Sequence, residues 1–511
     1  MSNRHEKTMF DYIIVGAGSA GCVLANRLTE DPETSVLLLE AGGNDDAPGI
    51  HDPTAAVSLF QSAVDWAYAT EEEPSLNHRK IYWPRGKVLG GSSSTNFMLY
   101  VRGNRYDYDH WRELGNEGWS YADVLPYFKK AENRERGASD YHGRGGPLRI
   151  MDLSTINPLT SAFLEAGEEL GWSRNDDYNG ASQEGFGVLQ STIYQGRRQS
   201  TAVAYLHPVQ SRPNLTIWTQ TLVTRVLFEG TRATGIGYLQ DGREQHMRVK
   251  KEVILSAGAI NSPQTLLLSG VGPADQLQAL GIRVVADVPG VGNNLQDHPC
   301  MFTYSTTKPS FSQFGNLPEG IGYIKTQQDL PEPDIQLLTA PFFFPPLVPG
   351  NGHTIALVLV HPQSRGHLTL RSTDPTQHPA IFANYLAKQA DLQTLVEGMK
   401  VVRRLNQTQA FAPFYEGEVE PGLHIQSDED FVEYIRTHLQ SIYHPVGTCK
   451  MGHDDLAVVD EQLRVYGVEG LRVVDASIMP TLINGNTNAP TIMIAEKIAD
   501  LLSKGGSTSS L

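Results

Sequence analysis

The chain has 511 residues, a formal net charge of −16, a hydrophobic fraction of 40% and an aromatic fraction of 8%. This length exceeds one ordinary domain, so we expect two or three domains with ample core for a buried cofactor site. The acidic balance lacks the basic footprint of a nucleic-acid-binding protein, and no apolar run approaches the length of a membrane span.

The three cysteines, Cys22, Cys300 and Cys449, are scattered without a CxxC pair. This spacing argues against a disulfide framework or a structural zinc site and suits a reducing compartment. The first apolar run leads straight into glycines rather than to a cleavage site. We therefore expect a cytoplasmic protein without a metal site, and peripheral association with a membrane stays open.

The first predicted elements form a βαβ unit. Residues 12–15 (YIIV) and 36–40 (VLLLE) are strand-like apolar runs, and the segment between them has helical spacing and ends at Pro32. Glycines at GxGxxG spacing follow the first strand, and Glu40 ends the second, where a carboxylate can accept hydrogen bonds from ribose hydroxyls.

The glycines favour an adenine dinucleotide. Gly16 permits a tight turn, Gly18 lets backbone N–H groups approach a pyrophosphate, and Gly21 lets the helix pack close to the sheet. The alternative is an α/β turn that needs the glycines for its backbone alone. The motif does not separate NAD from FAD.

A second glycine-rich loop lies at residues 85–103 (RGKVLGGSSSTNFMLYVRG). Gly90-Gly91 and three serines make it dense in backbone and hydroxyl donors, and an apolar run follows. Such a loop can wrap phosphates while the apolar run lies along a flat ring. An ordinary Gly/Ser loop is the alternative.

Later stretches predict antiparallel strands. Residues 214–239 are expected to form a meander with a turn near Glu229-Gly230, and residues 353–372 a hairpin that turns at Ser364–Gly366. The aromatic and proline-rich stretches 308–316 and 340–350 could line an apolar mouth or fill the core beneath the sheet.

Residues 441–452 (SIYHPVGTCKMG) hold His444 between Tyr443 and Pro445. By itself, a single histidine in such a stretch is more often a hydrogen-bonded core residue than a proton acceptor. Pro445 restricts the backbone of His444, which would help to hold the imidazole in one place.

Several separated motifs resemble those of the glucose–methanol–choline (GMC) oxidoreductase family, FAD enzymes that oxidise alcohols. They occur in the family's order at residues 86–104, 258–272, 287–299, 443–452 and 471–500. Within the family, the chain is most similar to bacterial choline-dehydrogenase-like and aliphatic or aryl alcohol dehydrogenases.

The resemblance implies an α/β plus α+β fold: a doubly wound FAD-binding domain and a substrate domain built on an antiparallel sheet with helices. The FAD-binding domain would comprise residues 1–150, 206–300 and 444–511. The substrate domain would comprise residues 151–205 and 301–443.

The resemblance also places the catalytic base on His444 and its partner on Asn488. A neutral imidazole would accept the hydroxyl proton as hydride leaves the carbinol. The amide of Asn488 would hold the developing alkoxide. Asn488 could also be a helix N-cap, because Ala489, Pro490 and a segment of helical spacing follow it, and the two roles are compatible.

FAD is expected to bind non-covalently, because Thr95 stands where members with covalently attached FAD carry histidine. Val223 would meet adenine through its backbone, with an ordinary strand residue as the alternative. The predicted cofactor-binding residues are Gly16, Gly18, Ser19, Ala20, Gly21, Glu40, Ala41, Gly86, Val88, Gly91, Asn96, Phe97, Met98, Leu99, Val223, Asp475, Ala476, Ala489 and Pro490.

The expected function is oxidation of a primary aliphatic or aromatic alcohol to the aldehyde, with electrons passed to a quinone-type acceptor or to O₂. The alternatives are an O₂-using oxidase of the same family and, more remotely, a lyase or decarboxylase, a non-catalytic flavoprotein or an NAD-dependent dehydrogenase. We expect a monomer or a homodimer that binds no nucleic acid.

Overall fold

The predicted βαβ unit is present in the structure, a computed structural model that describes residues 9–153, 155–240, 242–308, 317–344 and 351–505. Strand Met9–Val15 leads into a helix, Ser19–Leu28, and strand Val36–Leu39 returns parallel to the first. The helix begins directly after the glycine loop, with Gly18 as its N-cap, and buries Val23 and Leu24 against the sheet.

The two strands of this unit, Met9–Val15 and Val36–Leu39, belong to a seven-stranded sheet. Its order is Leu215–Trp218, Val36–Leu39, Met9–Val15, Arg243–Leu255, Arg232–Gln240 and Leu222–Glu229, and Leu471–Val473 also pairs with Arg243–Leu255. The strands that flank Met9–Val15 run parallel to it, so their carboxyl ends meet at one edge. Ligands of open α/β sheets bind in the crevice at that edge.

A second sheet of seven strands is antiparallel throughout. Its order is Tyr415–Glu420, Pro299–Thr307, Gly352–Leu359, Ile335–Ala340, Gly320–Ile324 and Gly185–Val188, and Gln440–Ser441 also pairs with Pro299–Thr307. Strand Gly352–Leu359 is buried along its whole length, because helix Gln389–Asn406 covers the sheet.

The helices, in chain order, are α1 Ser19–Leu28, α2 Arg105–Glu113, α3 Tyr121–Ala131, α4 Pro158–Glu169, α5 Gly258–Leu268, α6 Ala274–Ala279, α7 Gln389–Asn406, α8 Asp428–His438 and α9 Asn488–Gly505. Small ribbons are formed by Tyr68–Ala69 with Tyr82–Trp83, Glu132–Arg134 with Leu148–Asp152 and Gln190–Ser191, Ile193–Tyr194 with Arg197–Arg198, Val271–Gly272 with Ala286–Asp287, and His367–Thr369 with Ala380–Phe382.

Helices α1 and α9 pack together although they lie at opposite ends of the sequence. The guanidinium of Arg27 on α1 donates to the fully buried carboxylate of Glu496 on α9, with Nε to Oε2 at 2.9 Å. Tyr205 donates to the same carboxylate at 2.9 Å. Breaking a buried pair of this kind leaves an uncompensated charge, so the contact fixes α9 against the dinucleotide-binding helix.

The predicted fold class, α/β plus α+β, is confirmed by this arrangement of one mainly parallel and one antiparallel sheet. We propose that the two sheets mark the two domains, with the segment boundaries given above. Within the described residues, no helix is both long and apolar enough to cross a membrane.

The predicted hairpin at residues 353–372 is wrong. Strand Gly352–Leu359 pairs with its two sheet neighbours, whereas His367–Thr369 pairs with Ala380–Phe382. The chain is held away from a hairpin because the carboxylate of Asp391 accepts the backbone N–H groups of Gln363 and Ser364, at 2.7 and 2.9 Å.

The predicted meander at residues 214–239 is right only in its second half. The last two strands, Leu222–Glu229 and Arg232–Gln240, are antiparallel and turn at Gly230, as expected. Strand Leu215–Trp218 instead pairs in parallel with Val36–Leu39.

Candidate active site

One continuous cavity runs between the two sheets. It begins beside Glu40 and Val223, passes the two glycine-rich loops, and ends beside His444. Most predicted site residues line it: Gly16, Gly18, Ser19, Ala20, Glu40, Ala41, Gly86, Gly91, Asn96, Phe97, Met98, Leu99, Val223, His444, Asp475, Ala476 and Asn488.

Four predicted cofactor-binding residues, Gly21, Val88, Ala489 and Pro490, do not line the cavity. Gly21 faces the strand, where an added Cβ would lie 1.9 Å from the carbonyl oxygen of Gly16. Val88 packs with Ile50 and Leu59, and Ala489 and Pro490 are buried in the first turn of α9. These four residues pack behind the residues that line the cavity.

The two glycine-rich loops cross at their backbones. Gly91 has φ +53°, and a Cβ there would lie 2.7 Å from the Cα of Gly18. Any side chain would therefore push the loops apart, and glycine is the residue that tolerates both the conformation and the approach. Both glycines line the cavity, so the crossing leaves a stretch of wall without side chains, where a pyrophosphate could approach the backbone closely.

Glu40 is fixed at the first end of the cavity. Its carboxylate accepts hydrogen bonds from the N–H groups of Ala17 and Gly42, at 3.0 and 2.8 Å. Burial raises the pKa of Glu40 to about 7, although these hydrogen bonds oppose the shift. A carboxyl group held in this way offers its remaining lone pairs to ribose hydroxyls.

Asp475 ties the C-terminal segment to α5. Its Oδ2 accepts from the N–H of Gly258, at the start of α5, and from the hydroxyl of Ser262. Its Oδ1 accepts from the N–H of Ser477 at 2.8 Å. Asp475 is thus a positioning residue at the cavity wall, and the wall contributed by α5 was not assigned from the sequence.

His444 lies at the other end of the cavity and is 8% exposed. Its backbone N–H donates to Asp297 Oδ1 at 2.6 Å, and Asp297 also accepts from the hydroxyls of Ser441 and Tyr385. Burial, the neighbouring His298 and the charge of Arg85 lower the pKa of His444 well below its ordinary value. The imidazole is therefore neutral at physiological pH.

The tautomer of His444 follows from its neighbour. His298 Nε2 lies 3.1 Å from the carbonyl oxygen of Val360, which can only accept, so Nε2 carries the proton. Burial and the charge of His361 lower the pKa of His298 to about 3, which leaves its Nδ1 as an acceptor. The Nδ1 of His444 lies 2.9 Å away and must be the donor, so the Nε2 of His444 is unprotonated and carries a lone pair that can accept a hydrogen bond.

Asn486, not Asn488, faces this lone pair. Asn486 Nδ2 donates to His444 Nε2 at 3.2 Å, whereas Asn488 Oδ1 accepts from the hydroxyl of Ser19 at 2.7 Å. Helix α9 begins at Asn488, so the side chain of Asn488 contacts the dinucleotide-binding loop at Ser19. The loop before the helix carries Asn486, which contacts His444. The position expected for Asn488 is therefore corrected to Asn486.

Aromatic rings surround the cavity beside His444. Phe60 makes edge contacts with Phe97 and Tyr443, with ring centroids 6.0 and 5.6 Å apart, and Phe344 packs on Phe97 and Phe302 at 5.3 and 5.2 Å. We call these five rings the aromatic pocket. Of the aromatic and proline-rich stretches noted in the sequence, residues 309–316 and 345–350 lie outside the described residues.

The cavity fits the FAD that the resemblance implies. Two buried side-chain atoms on its wall, Ser256 Oγ near the glycine loop and Asn486 Oδ1 near the base, have no hydrogen-bond partner among the described residues. Buried polar groups are normally paired, so both atoms indicate a bound polar ligand that spans the cavity. The glycine-lined middle accommodates the approach of a phosphate backbone.

Comparison with known proteins agrees with this geometry. Profiles for the N- and C-terminal parts of GMC oxidoreductases match residues 10–300 and 362–495. The mitochondrial choline dehydrogenase of Mus musculus is 47% identical, over 97% of this chain and 90% of that protein. The alcohol dehydrogenase [acceptor] of Pseudomonas putida is 43% identical, over 97% and 96%.

The solved structure of pyridoxine 4-oxidase from Mesorbium loti superposes with a TM-score of 0.91 at 33% identity, covering 97% of this chain and 99% of that one. Together with the cavity, these matches show that the chain belongs to the GMC oxidoreductase family of FAD-dependent enzymes.

Proposed function

We propose that the protein oxidises a primary alcohol with an uncharged, apolar tail to the aldehyde. The observation that carries this proposal is the unprotonated Nε2 of His444, which faces the amide of Asn486 at the end of the cavity, beside an apolar pocket. Bound FAD, which we expect to be held non-covalently, supplies the acceptor of the hydride from the carbinol carbon.

The chain's own residues manage the hydroxyl group. His444 Nε2 accepts the hydroxyl proton, and the resulting imidazolium still donates from Nδ1 to His298. The amide of Asn486 turns from the histidine to the alcohol oxygen and stabilises the charge that develops there. The carbinol thus loses one hydride and one proton, which balances its conversion to the aldehyde.

The lining of the aromatic pocket favours an uncharged substrate. Among the described residues that line the cavity, the acidic side chains are Glu40 and Asp475, and both lie away from the five rings. Arg85, which lines the cavity and donates to the carbonyl of Tyr443, places a positive charge at this end. A cationic substrate could contact the ring faces, but it would lose its hydration beside the Arg85 charge without gaining a carboxylate partner among the described residues that line the cavity here.

Choline and 3,3-dimethylbutan-1-ol make a matched test, because they have nearly the same shape and differ in charge. Each would be mixed anaerobically with the flavoprotein while the flavin absorbance is followed, alongside hexan-1-ol and benzyl alcohol. We expect the neutral analogue to reduce the flavin at least about 10-fold more efficiently than choline.

Faster reduction by choline would overturn the assigned substrate class and favour the activity named for the choline dehydrogenase relatives. Failure of every alcohol to bleach the flavin would overturn the function itself. Admitting air afterwards separates an oxidase, which reoxidises promptly, from a dehydrogenase that needs a quinone-type acceptor. The acceptor, the oligomeric state and a cytoplasmic location stay predictions.

A further inference from the structure

A cluster of three ligand-type side chains lies outside the cavity. It contains Asp107 of helix α2, Glu332 of the loop before strand Ile335–Ala340, and His361, which follows strand Gly352–Leu359. One ligand atom from each side chain lies within 4.8 Å of the other two. The distances from His361 Nε2 are 3.6 Å to Asp107 Oδ1 and 3.4 Å to Glu332 Oε1.

The cluster holds buried polar atoms without partners. Asp107 is 2% exposed and Glu332 is 9% exposed. Asp107 Oδ1, Glu332 Oε2 and His361 Nε2 have no hydrogen-bond partner among the described residues. Buried polar groups are normally satisfied, so three unpartnered atoms on side chains that approach within 4.8 Å indicate a missing ligand.

Apart from His361, the two carboxylates lack a counterion among the described residues. Within the described part of the chain, the ion pairs of Asp107 and Glu332 are with His361, and no lysine or arginine is close enough to pair with either. Two carboxylates held together out of water favour a bound cation.

We propose that Asp107, Glu332 and His361 bind a divalent transition-metal ion of the zinc type. Zinc sites use imidazole nitrogen and carboxylate oxygen at about 2.0–2.2 Å, which places neighbouring tetrahedral ligands roughly 3.3 Å apart. The two distances from His361 Nε2 match that spacing, whereas they exceed a charge-assisted hydrogen bond of about 2.7–2.9 Å. The imidazole ligand selects against magnesium and calcium.

The ion would link helix α2, the loop before strand Ile335–Ala340 and the residue after strand Gly352–Leu359. These segments lie next to the loop that carries Asn484 and Asn486. Asp107 Oδ2 already accepts from the N–H of Asn484, two residues before Asn486, at 2.8 Å. His361 directly follows Val360, whose carbonyl fixes the tautomer of His298. The His361 side chain is 28% exposed, which gives the ion a route from solvent.

The test titrates the flavin-loaded protein with Zn²⁺ alone, after removal of metal with a chelator. We expect one ion per chain, with a dissociation constant in roughly the micromolar range or below. Glu332→Gln and His361→Gln should each weaken binding about 100-fold or more, since loss of a direct ligand costs at least as much as loss of a supporting group. Asp107 is left intact, because it also caps α2.

A matched control is His110→Gln, one turn along the same helix. His110 lies 3.6 Å from Glu113, but this pair has no third ligand among the described residues and is more exposed. Binding should be unchanged in this variant. The proposal is overturned if no stoichiometric binding occurs at about 10 µM Zn²⁺. It is also overturned if Glu332→Gln and His361→Gln both bind like the parent, which would make the cluster an ion pair and any zinc adventitious.

Discussion

The two ends of the central cavity are built in different ways. At the cofactor end, the backbones of two glycine-rich loops cross, and the residues involved are close together in the sequence within each loop. At the catalytic end, His298, His444 and Asn486 meet as side chains from three distant segments, and the carbonyl of Val360 adds a fourth.

This difference decides how each end responds to change. The crossed glycine-rich loops form a backbone cradle that depends on the absence of side chains. A side-chain atom added at the crossing therefore disrupts it, whereas most substitutions elsewhere in the loops are tolerated. A chain of imidazoles and amides depends on particular atoms, so each substitution alters one chemical step and can leave the cradle intact. Substitutions at the two ends therefore test these two kinds of dependence separately.

Replacing the base should have the largest effect. In His444→Ala, we expect the flavin to remain bound while its anaerobic reduction by the best alcohol slows about 10²–10⁴-fold, because the proton acceptor is lost. Stopped-flow absorbance of the flavin measures this rate. His438→Ala, at the exposed end of α8, is the control and should reduce at the parental rate. A near-parental rate in His444→Ala would remove the assigned base.

The two asparagines give a sharper comparison across the cavity. Asn486→Ala should slow flavin reduction at saturating alcohol by about 10²-fold, since it removes the donor to the alcohol oxygen, with normal flavin content. Asn488→Ala should lose the contact with Ser19 and act mainly on flavin retention. The flavin reduction rate and the flavin content should be measured in both variants. Slow reduction in Asn488→Ala together with flavin loss in Asn486→Ala would restore Asn488 as the partner of the base.

The sequence predicted the strand–turn–helix at the cofactor end because the information for it is local. The spacing of Gly16, Gly18 and Gly21 requires one strand–turn–helix geometry, and that geometry is present. The catalytic end was predicted only through family resemblance, and it was displaced by two residues at Asn488. The sequence does predict a helix start near Asn488, where α9 begins. It does not show that the loop before that helix, and not its first residue, reaches the base.

Contacts between distant segments explain the remaining differences. His298 was not assigned a role, because its effect on His444 requires Val360 to be adjacent in space. The cluster of Asp107, Glu332 and His361 has no recognisable ligand spacing, since its members lie on separate elements. The predicted hairpin at residues 353–372 is wrong for the same reason. Asp391, which lies on helix α7, accepts the backbone N–H of Gln363 and holds this segment in another conformation.

The cradle should be sensitive to a single methyl group. In Gly91→Ala, the added Cβ would clash with Gly18 and occupy a left-handed conformation, so we expect flavin affinity to fall by about 10-fold or more. Gly43→Ala is the control, because a Cβ there meets nothing within 4 Å. Flavin titration of the apoproteins gives the comparison. Equal affinities in the two variants would show that the loop crossing is not needed for cofactor binding.

The smallest expected effect is a shift in pH dependence on removal of the Arg85 charge. The base works when neutral, so flavin reduction is fast above the pKa of His444 and declines as the pH falls through it. Arg85 helps to hold that pKa well below its ordinary value, after burial and His298. In Arg85→Gln the pKa should rise, and the acid limb of the reduction rate should move to higher pH by up to about one unit.

Measurement of the anaerobic reduction rate from about pH 8 down to the lowest pH at which both proteins keep their flavin tests this shift, because the rate should start to decline at a higher pH in Arg85→Gln. Lys80→Gln removes a positive charge from an exposed side chain paired with Glu71 and serves as the control for net charge. A limb that moves equally in both variants would assign the effect to the overall charge of the protein. A limb that stays in place in Arg85→Gln would mean that burial and His298 alone keep the imidazole neutral, and that Arg85 serves only to hold the carbonyl of Tyr443.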